Sequence, residues 1–215
     1  MRLAIALALA VLTSLAPPLD AQRRARLELA LPSRAVATQE GPVVRSQNVL
    51  ADRQVRDLLR NGFPARLHYR LELWSVGGML NDLERTTDWD VIVRYDALDR
   101  TYAVARLTGG QVTVLGRFED FADAQEAVER PFRAPIVAPR GRQGYYYSLA
   151  LDVEMLSLND LDEVERWLKG ELRPAVRGER NPGTALTRGF RTLFVRLLGG
   201  ERRHYEVRSG RFTPE

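Results

Sequence analysis

His68 and His204 are the only imidazoles in a chain of 215 residues, and neither has the spacing of a metal cluster or a nucleophile elbow. Paired carboxylates are better placed for chemistry. Asp88 and Asp90, like Asp152 and Glu154, lie two apart in strand-like runs, so each pair shares a face, as a general acid and base can. Exposed strand faces show the same spacing without any chemistry, and both pairs are read that way. No cysteine is present, which removes thiol nucleophiles, thiolate metal sites and disulfides together. Gly77-Gly78 and Gly109-Gly110 are turn glycines, not a phosphate loop. Tyr145, Tyr146 and Tyr147 follow a basic loop and could stack bases, but alternation sends Tyr145 and Tyr147 into a core and Tyr146 to the opposite face. No catalytic residue, cofactor or metal is expected.

These residues sit on elements that the hydrophobic pattern marks out. In the stretch from Gly62 to Trp74, GFPARLHYRLELW, Leu67, Tyr69, Leu71 and Leu73 alternate with His68, Arg70, Glu72 and Trp74. That period predicts a long half-buried strand at the centre of an antiparallel sheet, with the leucines and Tyr69 inward. Before it, Leu27, Leu29 and Leu31 mark a first strand that ends at Pro32, and Val43 and Val44 a short edge strand. Val49, Val55, Leu58 and Leu59 then fall at helical spacing over residues 48 to 60, stopped by Asn61 and Gly62.

After Trp74, a polar, glycine-containing connection leads to a strand from Asp88 to Tyr95. A turn over Asp96 to Arg100 returns the chain as Tyr102 to Leu107, and Gly109-Gly110 turns it again into Gln111 to Phe118. This is a meander. Phe121, Ala124, Ala127 and Val128 predict a helix near 119 to 129, ended by Pro131. Tyr145 to Met155 then alternates over eleven residues as a natural partner for the opening strand. A further helix is expected over residues 159 to 171. The fold class is α+β, dominated by an antiparallel sheet or sandwich, immunoglobulin-like in outline, with flanking helices and a basic C-terminal helix.

Both ends differ from the middle. Residues 1 to 21 join Met1 and Arg2 to an apolar run, LAIALALAVLTSLA, and then Pro17, Pro18 and Ala21, the pattern of a secretory signal peptide cleaved after Ala21. The run falls short of the roughly 20 residues that span a bilayer. A periplasmic or other extracytoplasmic location follows, which argues against nucleic acid as a partner. The formal net charge is +4. It is unevenly distributed: residues 173 to 215 hold ten arginines against four glutamates, whereas residues 22 to 172 hold slightly more acids than bases. The chain therefore divides into the signal peptide, a mainly antiparallel β domain over 22 to 172, and an arginine-rich linker, helix and tail over 173 to 215.

The succession LLRNGFPARLHYRLELW, VIVRYDALDRTYAV, FEDFADAQEAV and YYYSLALDVEM resembles, in that order, a bacterial secreted family catalogued as domain of unknown function 4390. The resemblance covers roughly residues 25 to 157. It implies an extracytoplasmic bacterial protein with a mostly β domain, and no family catalytic or binding residues to carry over.

Within the tail, TALTRGFRTLFVRLLGG predicts a basic amphipathic helix. Arg188, Phe190, Arg191, Phe194, Arg196 and Leu197 are its candidate membrane- or partner-binding residues. Three uses compete. Its apolar face docks on the β domain, or lies on anionic lipid where each basic residue contributes about 1 kcal/mol, or fills a partner's groove. Gly189 costs such a helix about 1 kcal/mol against alanine, so a surface must help it form. The expected function is a non-enzymatic envelope module that binds another envelope protein or the membrane surface. The alternatives are an accessory or sensory partner of a membrane signalling protein, and an uncharacterised hydrolase.

Overall fold

The structure is a computed structural model that describes residues 24–77, 80–141, 143–156 and 203–215. Signal peptide, expected helix at 159 to 171 and basic amphipathic helix, including Arg188, Phe190, Arg191, Phe194, Arg196 and Leu197, lie outside the described residues. What is described is mostly antiparallel sheet with two α-helices, α1 (Arg53–Arg60) and α2 (Phe121–Glu129).

Alternation makes the long strand, β3 (Ala65–Ser75), the spine. Leu67, Leu71 and Leu73 are fully buried and Tyr69 nearly so, each burial stabilising the fold by about 2 kcal/mol. On one side β3 pairs along its whole length with β8 (Tyr145–Met155), and on the other with β4 (Asp82–Asp96). The meander continues through β5 (Thr101–Thr108) and β6 (Gln111–Phe118). Gly109 and Gly110 make the two-residue turn between them, both at positive φ, the conformation that matches the twist of a tight hairpin. Addition of β9 (Arg203–Arg208) completes a six-stranded sheet in the order β6-β5-β4-β3-β8-β9. A second sheet, β1 (Arg26–Ala30), β2 (Val43–Gln47) and β7 (Phe132–Arg133), packs on the inner face of the first.

The two sheets meet over an aromatic ladder. Tyr69 stacks on Trp89 at 5.0 Å between centroids, and Trp89 meets Phe132 of the small sheet at 5.1 Å. The Tyr69 hydroxyl and Ser46 Oγ, one from each sheet, share a buried hydrogen bond of 2.8 Å. Arg106 also points inward, its guanidinium 4.1 Å from the Phe132 ring centre, where burial lowers its pKa.

Several expectations need correction. Val43 and Val44 lie on the middle strand of their sheet, not an edge, because Phe132 and Arg133 pair with β2 from the far side. The helix expected from residue 48 starts at Arg53, after Asp52 caps it by accepting from the Gln54 amide. Val49 and Leu50 are buried in the preceding turn, and apolar side chains anchored there imitate a helical period. The polar connection after Trp74 is shorter than its composition suggests, since β4 already pairs with β3 from Asp82. Asp82 to Arg85 are exposed, so no hydrophobic alternation betrays the strand. Strand β9 was hidden within the basic tail: only Tyr205 and Val207 of its side chains pack against the core.

Candidate functional site

The register of the large sheet brings the two histidines onto one line. Opposite His68 of β3 stand Asp90 of β4 and Asp152 of β8, and opposite Asp152 stands His204 of β9. With strands about 4.8 Å apart, this is a row across the outer face of the sheet. His68 Nδ1 lies 2.8 Å from Asp90 Oδ1, and His204 Nδ1 lies 2.8 Å from Asp152 Oδ1. Arg66 grips Asp90 with two hydrogen bonds, from Nε at 2.9 Å and from a terminal nitrogen at 3.0 Å.

Asp90 shows how such a group is held charged. Burial pushes its carboxyl pKa up, but the hydrogen bond to His68 and the charge and hydrogen bonds of Arg66 outweigh that, and the net shift is downward. An ionised carboxylate accepts only, so His68 Nδ1 carries the proton and donates it to Asp90. Both Asp90 oxygens are then occupied by protein donors, which suits an anchor better than a base. Ser148, the serine on this face of β8, lies four residues from Asp152, about 13 Å along the strand, and donates to Glu206 instead. No triad forms from these groups. Among the described residues no three histidines or carboxylates converge in a way that could hold a metal ion.

Asp88 and Asp90 do lie on one face, as do Asp152 and Glu154, but Asp90 is not a solvated surface carboxylate. Its side chain is 13% exposed and locked in the Arg66–His68 cluster. Sequence spacing describes one strand at a time; the partners came from the neighbouring strand.

Further along the same outer face, Trp74 and Tyr146 are cross-strand neighbours with rings parallel to within 8° and 6.4 Å apart. The Trp74 indole N–H donates to Glu72, which also pairs with Arg70. Tyr145 and Tyr147 point inward and are buried, as their alternation predicts.

Around this end of the sheet, the chain's last residues close a cleft of about 300 Å³ lined by Arg34, Val76, Gly144, Arg211, Phe212 and Thr213. Its walls are tied by the main chain. Tyr145 and Phe212 exchange two backbone hydrogen bonds of 2.7 and 2.9 Å, the Val76 amide donates to Gly144 and the Glu215 amide to Arg34. Local sequence could not reveal this cleft, because Arg34 and Arg211 come from opposite ends of the described chain.

The protein is thus a mostly antiparallel β protein with two packed sheets. Comparison with family models, curated proteins and solved structures finds no match.

Proposed function

We propose that this is a non-enzymatic binding or adaptor module of the bacterial envelope, which contacts an envelope protein or the membrane surface. The observation that carries the reading is the filled space between the sheets. The void bounded by Ser46, Tyr69, Trp89, Arg106 and Phe132 is about 10 Å³, room for about one water. A hydrolase would need a pocket with converging polar groups, and this interior offers a packed aromatic ladder in its place.

The immunoglobulin-like outline and the resemblance to domain of unknown function 4390 belong to the same reading, supported by the facing antiparallel sheets and the order of the sequence blocks. So does the extracytoplasmic location, which rests on the leader pattern at residues 1 to 21. The contact surface is the basic segment with Arg188, Phe190, Arg191, Phe194, Arg196 and Leu197. Flotation with anionic vesicles at low salt, for the protein with and without residues 184 to 198, separates lipid from protein as the target. A lipid contact predicts flotation that is lost with the segment. If both forms stay at the bottom, the membrane alternative fails and crosslinking to an envelope protein is the remaining test of the module.

A further inference from the structure

Many arginines of the described surface are already matched to acids: Arg66 to Asp90, Arg70 to Glu72, Arg133 to Glu40 and Arg203 to Asp52. Other exposed arginines stand unmatched singly, whereas the cleft at the β3/β8 end brings two of them together. Among the described residues neither Arg34 nor Arg211 has a side-chain hydrogen bond or ion pair, although both line the same concavity. Their backbones are fixed, Arg34 by the amide of Glu215 and Arg211 by its neighbour Phe212, which is 7% exposed and stacks on Tyr147 at 5.4 Å.

From this we propose that the cleft is a binding site for a phosphate-class oxyanion. Arg34 and Arg211 come from separate segments and line one cleft with Thr213, and their guanidiniums carry more donors than the two oxygens of a carboxylate require. They suit the several oxygens of a phosphate. Val76 and Phe212 give an apolar wall for a substituent on the phosphorus, and the volume falls at the lower end of small-molecule sites. The inference goes beyond the envelope-contact reading and does not depend on residues 184 to 198. A phosphorylated solute and a phospholipid headgroup share the chemistry, so the test has an arm for each.

The measurement is titration of the purified protein with inorganic phosphate by calorimetry, alongside Arg34→Gln, Arg211→Gln and an exposed control, Arg45→Gln, with folding of each variant checked by circular dichroism. Losing a charge-assisted hydrogen bond from a site of this kind predicts about tenfold weaker binding for each cleft variant, and less than about twofold for the control. Arg34→Lys and Arg211→Lys, which keep the charge and lose the planar fork, should fall between. Absence of phosphate binding to the unmodified protein overturns the proposal, as does an equal loss in the control and the cleft variants. In the second arm, phosphatidylglycerol vesicles that capture the protein and release it to inorganic phosphate identify a headgroup ligand. Phosphate binding without vesicle capture identifies a soluble one. If the cleft variants bind phosphate normally while deletion of residues 184 to 198 abolishes vesicle binding, the cleft proposal fails and the basic-segment reading stands.

Discussion

At the scale of single residues, Asp90 is the group on which the outer face is organised. It holds Arg66 and His68 at once while nearly enclosed. Asp90→Asn keeps the shape but removes the negative charge that Arg66 and His68 share at a nearly enclosed position, and should cost about 3 kcal/mol by chemical denaturation. A change under about 0.5 kcal/mol would show that the cluster is solvated. The pH dependence follows from the downward shift of the Asp90 pKa. Because its folded value lies below the ordinary 3.8, its contribution is complete above that pH and is lost as pH falls through the folded value. Acid unfolding of the unmodified protein should therefore steepen below about pH 4, and Asp90→Asn should flatten that limb.

At the scale of elements, the two sheets are joined by apolar packing, by Arg106 over the Phe132 ring and by the buried hydrogen bond between Tyr69 and Ser46. Burial, only partly offset by that hydrogen bond, pushes the Tyr69 hydroxyl up to about 12 from its ordinary value of 10.0. A phenol whose folded pKa is raised contributes stability that is complete below the unfolded value and lost as pH rises toward the folded one. Stability should consequently fall between about pH 10 and 12. Tyr69→Phe should remove much of that alkaline loss while costing about 1 to 2 kcal/mol at neutral pH, since Ser46 is left without its partner. Equal alkaline limbs in the two proteins would contradict the assignment.

The elements also show what local pattern can reveal. β3 and β8 were legible because one face of each is buried and every second side chain is apolar. The Gly109-Gly110 hairpin was legible from turn chemistry. Strand β4 before Trp89 was not, because it pairs through its backbone while its side chains remain in water. Val49 and Leu50 misled in the other direction: they are buried from a turn. Of the outer-face cluster, the carboxylate spacing was visible but its meaning was not. The pairing of His68 with Asp90 depends on a register across 22 residues of chain. The cleft was less visible still, since Arg34 and Arg211 become neighbours only when the chain's end folds back beside β8.

On the scale of the whole molecule, a packed interior lies behind an exterior that carries most of the charge and the half-buried Trp74–Tyr146 pair. That division supports the proposed binding module, for which the arginine-rich residues 173 to 215 are the proposed contact segment. Among the described residues no helix is long and apolar enough to cross a membrane. Co-sedimentation with isolated bacterial envelopes at low salt tests the central claim most directly, comparing the unmodified protein with a variant carrying Arg188→Glu, Arg191→Glu and Arg196→Glu. The account predicts that the unmodified protein pellets with the envelopes and that the triple variant is retained at least about tenfold less, the loss of three contacts of about 1 kcal/mol each. A protein that stays in the supernatant, or pellets equally with all three arginines reversed, would contradict it.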